Sequence, residues 1–210
     1  MTQQLGLQPV IARWLAQAAD VLGSVEPAAL ARAVHALSDV RARGRVIYTA
    51  GNGGSASTAS HLALDLQKAA RSPGGNGTRA LCLSDSVGLI TAWANDTAFD
   101  RVFAEQLAVL AKPGDGLVVI SVSGSSPNLI ALLETARARE VVSVGLLGRD
   151  GGPARELVHV PVVVPSDDYG WVEAAHAVLG HVLTYALRDS NRALHAPRAL
   201  HAPLEKPATR

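Results

Sequence analysis

Five short, nearly unbroken apolar runs, separated by segments with helical spacing, constrain this chain more than any other feature. Residues 45–50, 80–83, 117–122, 141–147 and 158–164 read as strands. A strand with one wet face alternates apolar and polar residues. Leu117-Val118-Val119-Ile120 has no polar face, so both sides of its sheet must be covered. Between the runs, apolar residues recur at helical spacing over 10–22, 27–43, 55–70, 87–94, 98–110, 128–139 and 169–188, and Pro27 suits a first helical turn. Strands alternating with helices predict an α/β fold: a doubly wound parallel sheet flanked by helices, preceded by two N-terminal helices.

The 210 residues, 48% of them hydrophobic, are enough for one sizeable core, so a single domain is expected over 1–189. The N-terminal helices (1–43) are expected to serve oligomer packing, because a doubly wound core does not need them. Residues 71–78 are a loop by composition. Past 190, Ala193-Leu194-His195-Ala196-Pro197 recurs unchanged at Ala199-Leu200-His201-Ala202-Pro203 without strand or helix periodicity, and a disordered tail is expected over 190–210.

The net charge of +1 provides no field to recruit nucleic acid or an anionic membrane. Aromatic residues, at 4%, are too few for a base-stacking surface. The lone Cys82 sits in an apolar run and reads as a core residue. There is no basic start followed by an apolar stretch, and the apolar runs are strand-sized, so a cytoplasmic protein without membrane or nucleic-acid partners is expected. Any anionic ligand must be held by local geometry.

Two loops offer such geometry. Gly51, Asn52, Gly53, Gly54 and Ser55 join a strand to a helix, where glycines let backbone N–H groups converge and the helix N-terminus favours an anion. Ser121, Ser123, Gly124, Ser125 and Ser126 follow another strand and open another helix, adding hydroxyls. Either loop alone is an ordinary turn. At equivalent strand ends of one parallel sheet, however, the two converge on the crevice where such folds bind ligands. Neither has the lysine of a nucleotide P-loop or the spaced third glycine of a dinucleotide fingerprint, so a phosphorylated sugar is the expected ligand.

His61 and Asp65, four residues apart, project from one helix face beyond the first loop. His181 lies eight residues after Glu173, about 80° around a helix, with His176 between them. Taken singly, these are commonplace: a surface helical pair and a core histidine.

Taken together, Gly51–Ser55, His61 with an acid four later, Asn95-Asp96, the serines of 121–126, Gly151-Gly152 and the Glu173, His176, His181 spacing resemble the sugar isomerase (SIS) family. Within it, the similarity is greatest to the bacterial phosphoheptose isomerases, over residues 10–188. The resemblance implies an aldose–ketose isomerase converting sedoheptulose 7-phosphate to D-glycero-D-manno-heptose 7-phosphate through an enediol. It implies that Asn52, Gly53, Gly54, Ser55, Asp96, Ser121, Ser123, Ser126 and Glu173 bind the substrate. Asp65 and His181 become the acid/base pair, since isomerisation needs a base at the carbon-bound proton and a group handling oxygen protons. His61, Asp65, Glu173 and His181 become the ligands of a zinc ion, and the assembly a homotetramer with sites between subunits.

The chain departs from the family pattern where Asp65 replaces a glutamate, Glu173 a glutamine, Ala69 an arginine and Gly170 an aspartate. Two histidines and two carboxylates make the better zinc set. A non-catalytic SIS module that binds sugar phosphate as sensor or scaffold, or an isomerase of another phosphosugar, is the alternative; an imidazole at 181 favours the enzyme.

Overall fold

The computed structural model describes residues 6–71 and 77–195, with side chains through residue 190. The five strands are β1 (Ile47–Gly51), β2 (Ala80–Cys82), β3 (Gly116–Ser121), β4 (Val142–Gly148) and β5 (Val160–Val164), each within a few residues of its expected run. They form one parallel sheet in the order β2-β1-β3-β4-β5.

Both faces of the sheet are covered, as the unbroken apolar strands require. Along β3, Val118 and Ile120 join a core with Leu37, Leu62, Leu66 and Leu183, from α2 (Pro27–Ala42), α3 (Gly54–Lys68) and α8 (Tyr169–His195). Leu117 and Val119 point to the opposite face, against Phe103, Leu107, Leu129 and Leu132 of α5 (Val102–Leu110) and α6 (Pro127–Ala138). Cys82 is buried, and burial pushes its thiol pKa up, as suits an inert core residue.

The strand order positions the site. From β1 the chain crosses to β2 on one side, and the next strand, β3, returns to the other side of β1. Connections leaving the carboxyl ends of β1 and β3 therefore diverge, and a crevice opens between them. The two Gly/Ser loops rim that crevice.

Several boundaries differ from expectation. α1 (Leu7–Gly23) forms as expected but buries none of its residues. α4 (Val87–Asp96) extends past 94 and also buries nothing, while the segment 98–110 divides into a 3₁₀ turn, Phe99–Arg101, and α5. A four-residue helix, α7 (Ala154–Leu157), was not anticipated, being too short for periodicity. α8 continues to His195, so a tail beginning at 190 is corrected. Helix-compatible residues run on until Pro197, and Ser190 contacts Ser38 of α2, hydroxyl to hydroxyl, at 3.3 Å. Residues 72–76 of the expected loop and 196–210 of the expected tail lie outside the described residues.

Candidate active site

The first loop is fixed by close packing at the end of β1. Gly51 donates its N–H to the Ser84 hydroxyl at 3.2 Å, and that hydroxyl donates back to the Gly51 carbonyl at 2.9 Å. A side chain at 51 would collide with the Ser55 backbone. Gly53, at φ +55°, turns the chain into α3 through a conformation that favours glycine. At Gly54 a Cβ would run into the Glu173 carboxylate, so an acid from α8 rests on the positive end of α3.

The second loop is folded by its own serines. Ser121 Oγ accepts the Gly124 N–H at 3.0 Å and Ser123 Oγ accepts the Ser125 N–H at 3.3 Å. Gly124, at φ +61°, packs so closely on the Gly151 carbonyl that no Cβ fits. This contact gives the Gly151-Gly152 pair its purpose. Pro127 then opens α6 with φ already set for a helix.

Between the loops lies a cavity of about 100 Å³ walled by Asn52, Ser55, Ser121, Ser123, Ser126 and Glu173, together with Tyr169 and apolar residues at the end of β3 and the start of α6. Five of the residues expected to bind a phosphosugar thus meet in one place through hydroxyl or amide groups, with Glu173 as a sixth, acidic, member. Asp96 does not join them: it is exposed at the end of α4, where Asn95 Nδ2 donates to its Oδ1 at 2.9 Å. A larger cavity, about 1040 Å³, opens at the opposite end of the sheet beside Arg45, Arg79 and Lys112, away from every expected site residue.

Where α3 packs on α8, His61, Asp65 and His181 come together. Asp65 Oδ2 lies 3.1 Å from His181 Nδ1 and 3.7 Å from His61 Nε2, and the two rings meet edge-to-face with centroids 5.0 Å apart. The Asp65 carboxylate is nearly buried, whereas both imidazoles reach solvent. Tyr185 stacks on His181 with centroids 6.3 Å apart, steadying its ring. One donor atom from each of the three residues falls within 4.8 Å of the others.

Glu173 is the expected ligand that this cluster lacks. Eight residues of helix place its Cα about 12 Å along the axis from His181. Its carboxylate instead serves the serine-lined cavity. His176, between them, is fully buried, and among the described residues neither ring nitrogen has a hydrogen-bond partner; burial lowers its pKa to about 4, outweighing the opposing influence of the Leu147 backbone.

Two features were not anticipated from sequence. Asp168 Oδ1 accepts the Trp171 N–H at 3.1 Å and so caps the start of α8. Asn128, the second residue of α6, exchanges two hydrogen bonds with Asn52, each 2.9 Å. Periodicity carries no signal for a pairing across 76 residues.

The family model described as SIS domain matches residues 13–148, well over half the chain. The chain belongs to the SIS-domain family. Among SIS relatives, the phosphoheptose isomerase of Geotalea daltonii is 38% identical over 154 residues, 73% of this chain and 80% of its own length. That of Solidesulfovibrio magneticus is 43% identical over 145 residues, 68% of this chain and 69% of its own. In structure, the SIS protein phosphoheptose isomerase from Neisseria gonorrhoeae superposes with a TM-score of 0.80 at 28% identity, covering 88% of this chain and all of that one. The expected SIS fold, with helices on both faces of a five-stranded parallel sheet, is the observed one.

Proposed function

We propose that this protein is an aldose–ketose isomerase interconverting sedoheptulose 7-phosphate and D-glycero-D-manno-heptose 7-phosphate. The observation that carries the reading is the pairing of a serine-lined anion cavity with a carboxylate–imidazole pair, Asp65 of α3 and His181 of α8, 3.1 Å apart where the two helices pack. Ser55 and Asp65 are ten residues apart on α3, about 15 Å along its axis. An extended seven-carbon phosphosugar is roughly 10 Å long, and a hydrogen-bond contact of about 3 Å at each end makes up the difference.

In this reading the phosphate is held by Ser55, Ser121, Ser123 and Ser126, with Asn52, Gly53 and Gly54 presenting the α3 N-terminus to it. Asp65 Oδ1, the oxygen that neither histidine engages, accepts the C1 proton of the ketose. The C1–H electron pair becomes the C1=C2 double bond of the enediol, and the carbonyl oxygen at C2 takes a proton from the His181 imidazolium. Return of the first proton to C2 and loss of the O1 proton to His181 give the aldose, with atoms and charge balanced. Glu173, beside the cavity, is the second carboxylate able to act as base.

The donor set of His61, Asp65 and His181 fits zinc: two imidazoles and a carboxylate, with Glu173 the proposed fourth ligand if α8 shifts. A zinc ion bound there would take the place of the proton on His181 and would supply Lewis-acid polarisation of the sugar oxygens instead of the imidazolium. Among the described residues no helix is long and apolar enough to cross a membrane. We place the protein in the cytoplasm and read it as a homotetramer with sites between subunits. The exposed Ile11, Trp14 and Leu15 of α1 and Val87 and Leu89 of α4 are the surfaces that other copies would cover.

A coupled assay with sedoheptulose 7-phosphate, with and without added zinc, tests the reading. Turnover that rises with zinc and falls at least 10³-fold in His181→Ala, with phosphate-ligand binding kept, is the expected result. Binding of the ketose phosphate without turnover would instead identify a sensor or scaffold.

A further inference from the structure

We infer that Asn128 is a positioning residue for substrate binding: through its reciprocal amide pair with Asn52 it clasps the two cavity loops into one anion site. The inference rests on reading those loops as the phosphate site.

Asn52 leaves the end of β1, and Asn128 lies in the first turn of α6, after β3. Each side chain donates its Nδ2 to the other's Oδ1, both at 2.9 Å. Among the described residues, these are the only side-chain hydrogen bonds joining the loop at 51–55 to the segment 121–128. Among the described residues, every other side-chain bond in the two loops is internal or runs to Ser84 or Thr58.

The partners are not equivalent. Asn128 is 2% exposed and does not line the cavity, whereas Asn52 does. The reciprocal pair uses one N–H and one acceptor site of each amide. Asn52 therefore keeps a second N–H and a second oxygen lone pair for the cavity. Asn128 has no route to a ligand except through Asn52.

An anion held by Ser55 on one side and by Ser121, Ser123 and Ser126 on the other needs those hydroxyls at a fixed separation, and the β1–β3 ladder sets that separation only up to Gly51 and Ile120. Beyond the ladder, the clasp takes over. Organising the loops before the ligand arrives removes an ordering cost from binding. The same cost falls on ground and transition states alike, so its loss belongs in KM rather than kcat.

The test compares wild-type protein with Asn128→Ala, Asn52→Ala and the double variant. It measures inorganic phosphate affinity by calorimetry, kcat and KM for sedoheptulose 7-phosphate, and thermal midpoints. Asn128→Ala is expected to raise KM and the phosphate Kd together, roughly 10- to 100-fold, with kcat within threefold of wild type. The double variant should bind no more weakly than Asn52→Ala alone, because Asn128 acts through Asn52. Asn128→Leu, close in shape but without hydrogen-bonding groups, gives the same comparison if the alanine variant does not fold. Unchanged phosphate affinity in Asn128→Ala, or effects that multiply in the double variant, would overturn the clasp. Wild-type protein that binds phosphate but does not turn over the ketose would count against the isomerase and leave the clasp to be decided by the affinities.

Discussion

At the scale of single residues, burial and pairing separate three histidines of similar spacing. His61 and His181 keep access to solvent and face Asp65, whereas His176 is sealed in with no partner among the described residues. Its pKa of about 4, against 6.5 for the free side chain, means that the unfolded chain binds a proton across that window and the folded chain does not. Stability is therefore complete above pH 6.5 and declines as pH falls toward 4, by on the order of 2–3 kcal/mol from this group. His176→Leu should flatten that part of the profile, which urea unfolding at pH 7 and pH 4.5 would show. An unchanged pH dependence would mean that other groups dominate acid denaturation.

At the scale of elements, α8 carries two of the proposed site residues, Glu173 near its start and His181 over Asp65, with His176 in the core between them. Its first turn is held by Asp168, whose carboxylate satisfies the Trp171 N–H and also complements the positive end of the helix. The family pattern places an aspartate at the position of Gly170, and the carboxylate found two residues earlier acts as a cap. Asp168→Ala is expected to cost about 1 kcal/mol of stability. Because the cap lies more than three turns from His181, kcat should change by less than twofold while the thermal midpoint drops by a few degrees. A large loss of kcat at full stability would give Asp168 a role at the substrate instead.

At the scale of the whole molecule, the sheet satisfies itself but two helices do not. Neither α1 nor α4 buries a residue, and Trp14, Leu15, Val87 and Leu89 are each more than 40% exposed. Such surfaces cost free energy in water unless another copy covers them. Light scattering should give a mass near four times 21.8 kDa. Replacing Ile11 and Trp14 with lysine is expected to lower that mass without unfolding the sheet, whose core excludes α1 beyond Val21 and Leu22. A wild-type monomer would rule out sites shared between subunits.

What the sequence determined by itself was whatever depends on local pattern. Apolar runs without a polar face required a sheet covered on both sides, so all five strands could be read before any contact was known. Glycines and serines at two strand ends marked the loops, because few other residues permit those turns. Tertiary structure alone decided which residues meet. Strand order turned two separate loops into one crevice, the packing of α3 on α8 made a cluster of His61, Asp65 and His181, and Asn128 found Asn52 across the sheet. The same packing moved Glu173 to the serine cavity and left Asp96 in solvent. Spacing along a chain fixes which face of a helix a side chain leaves from, but what stands opposite is set by the elements that pack there, and those are chosen by the core as a whole.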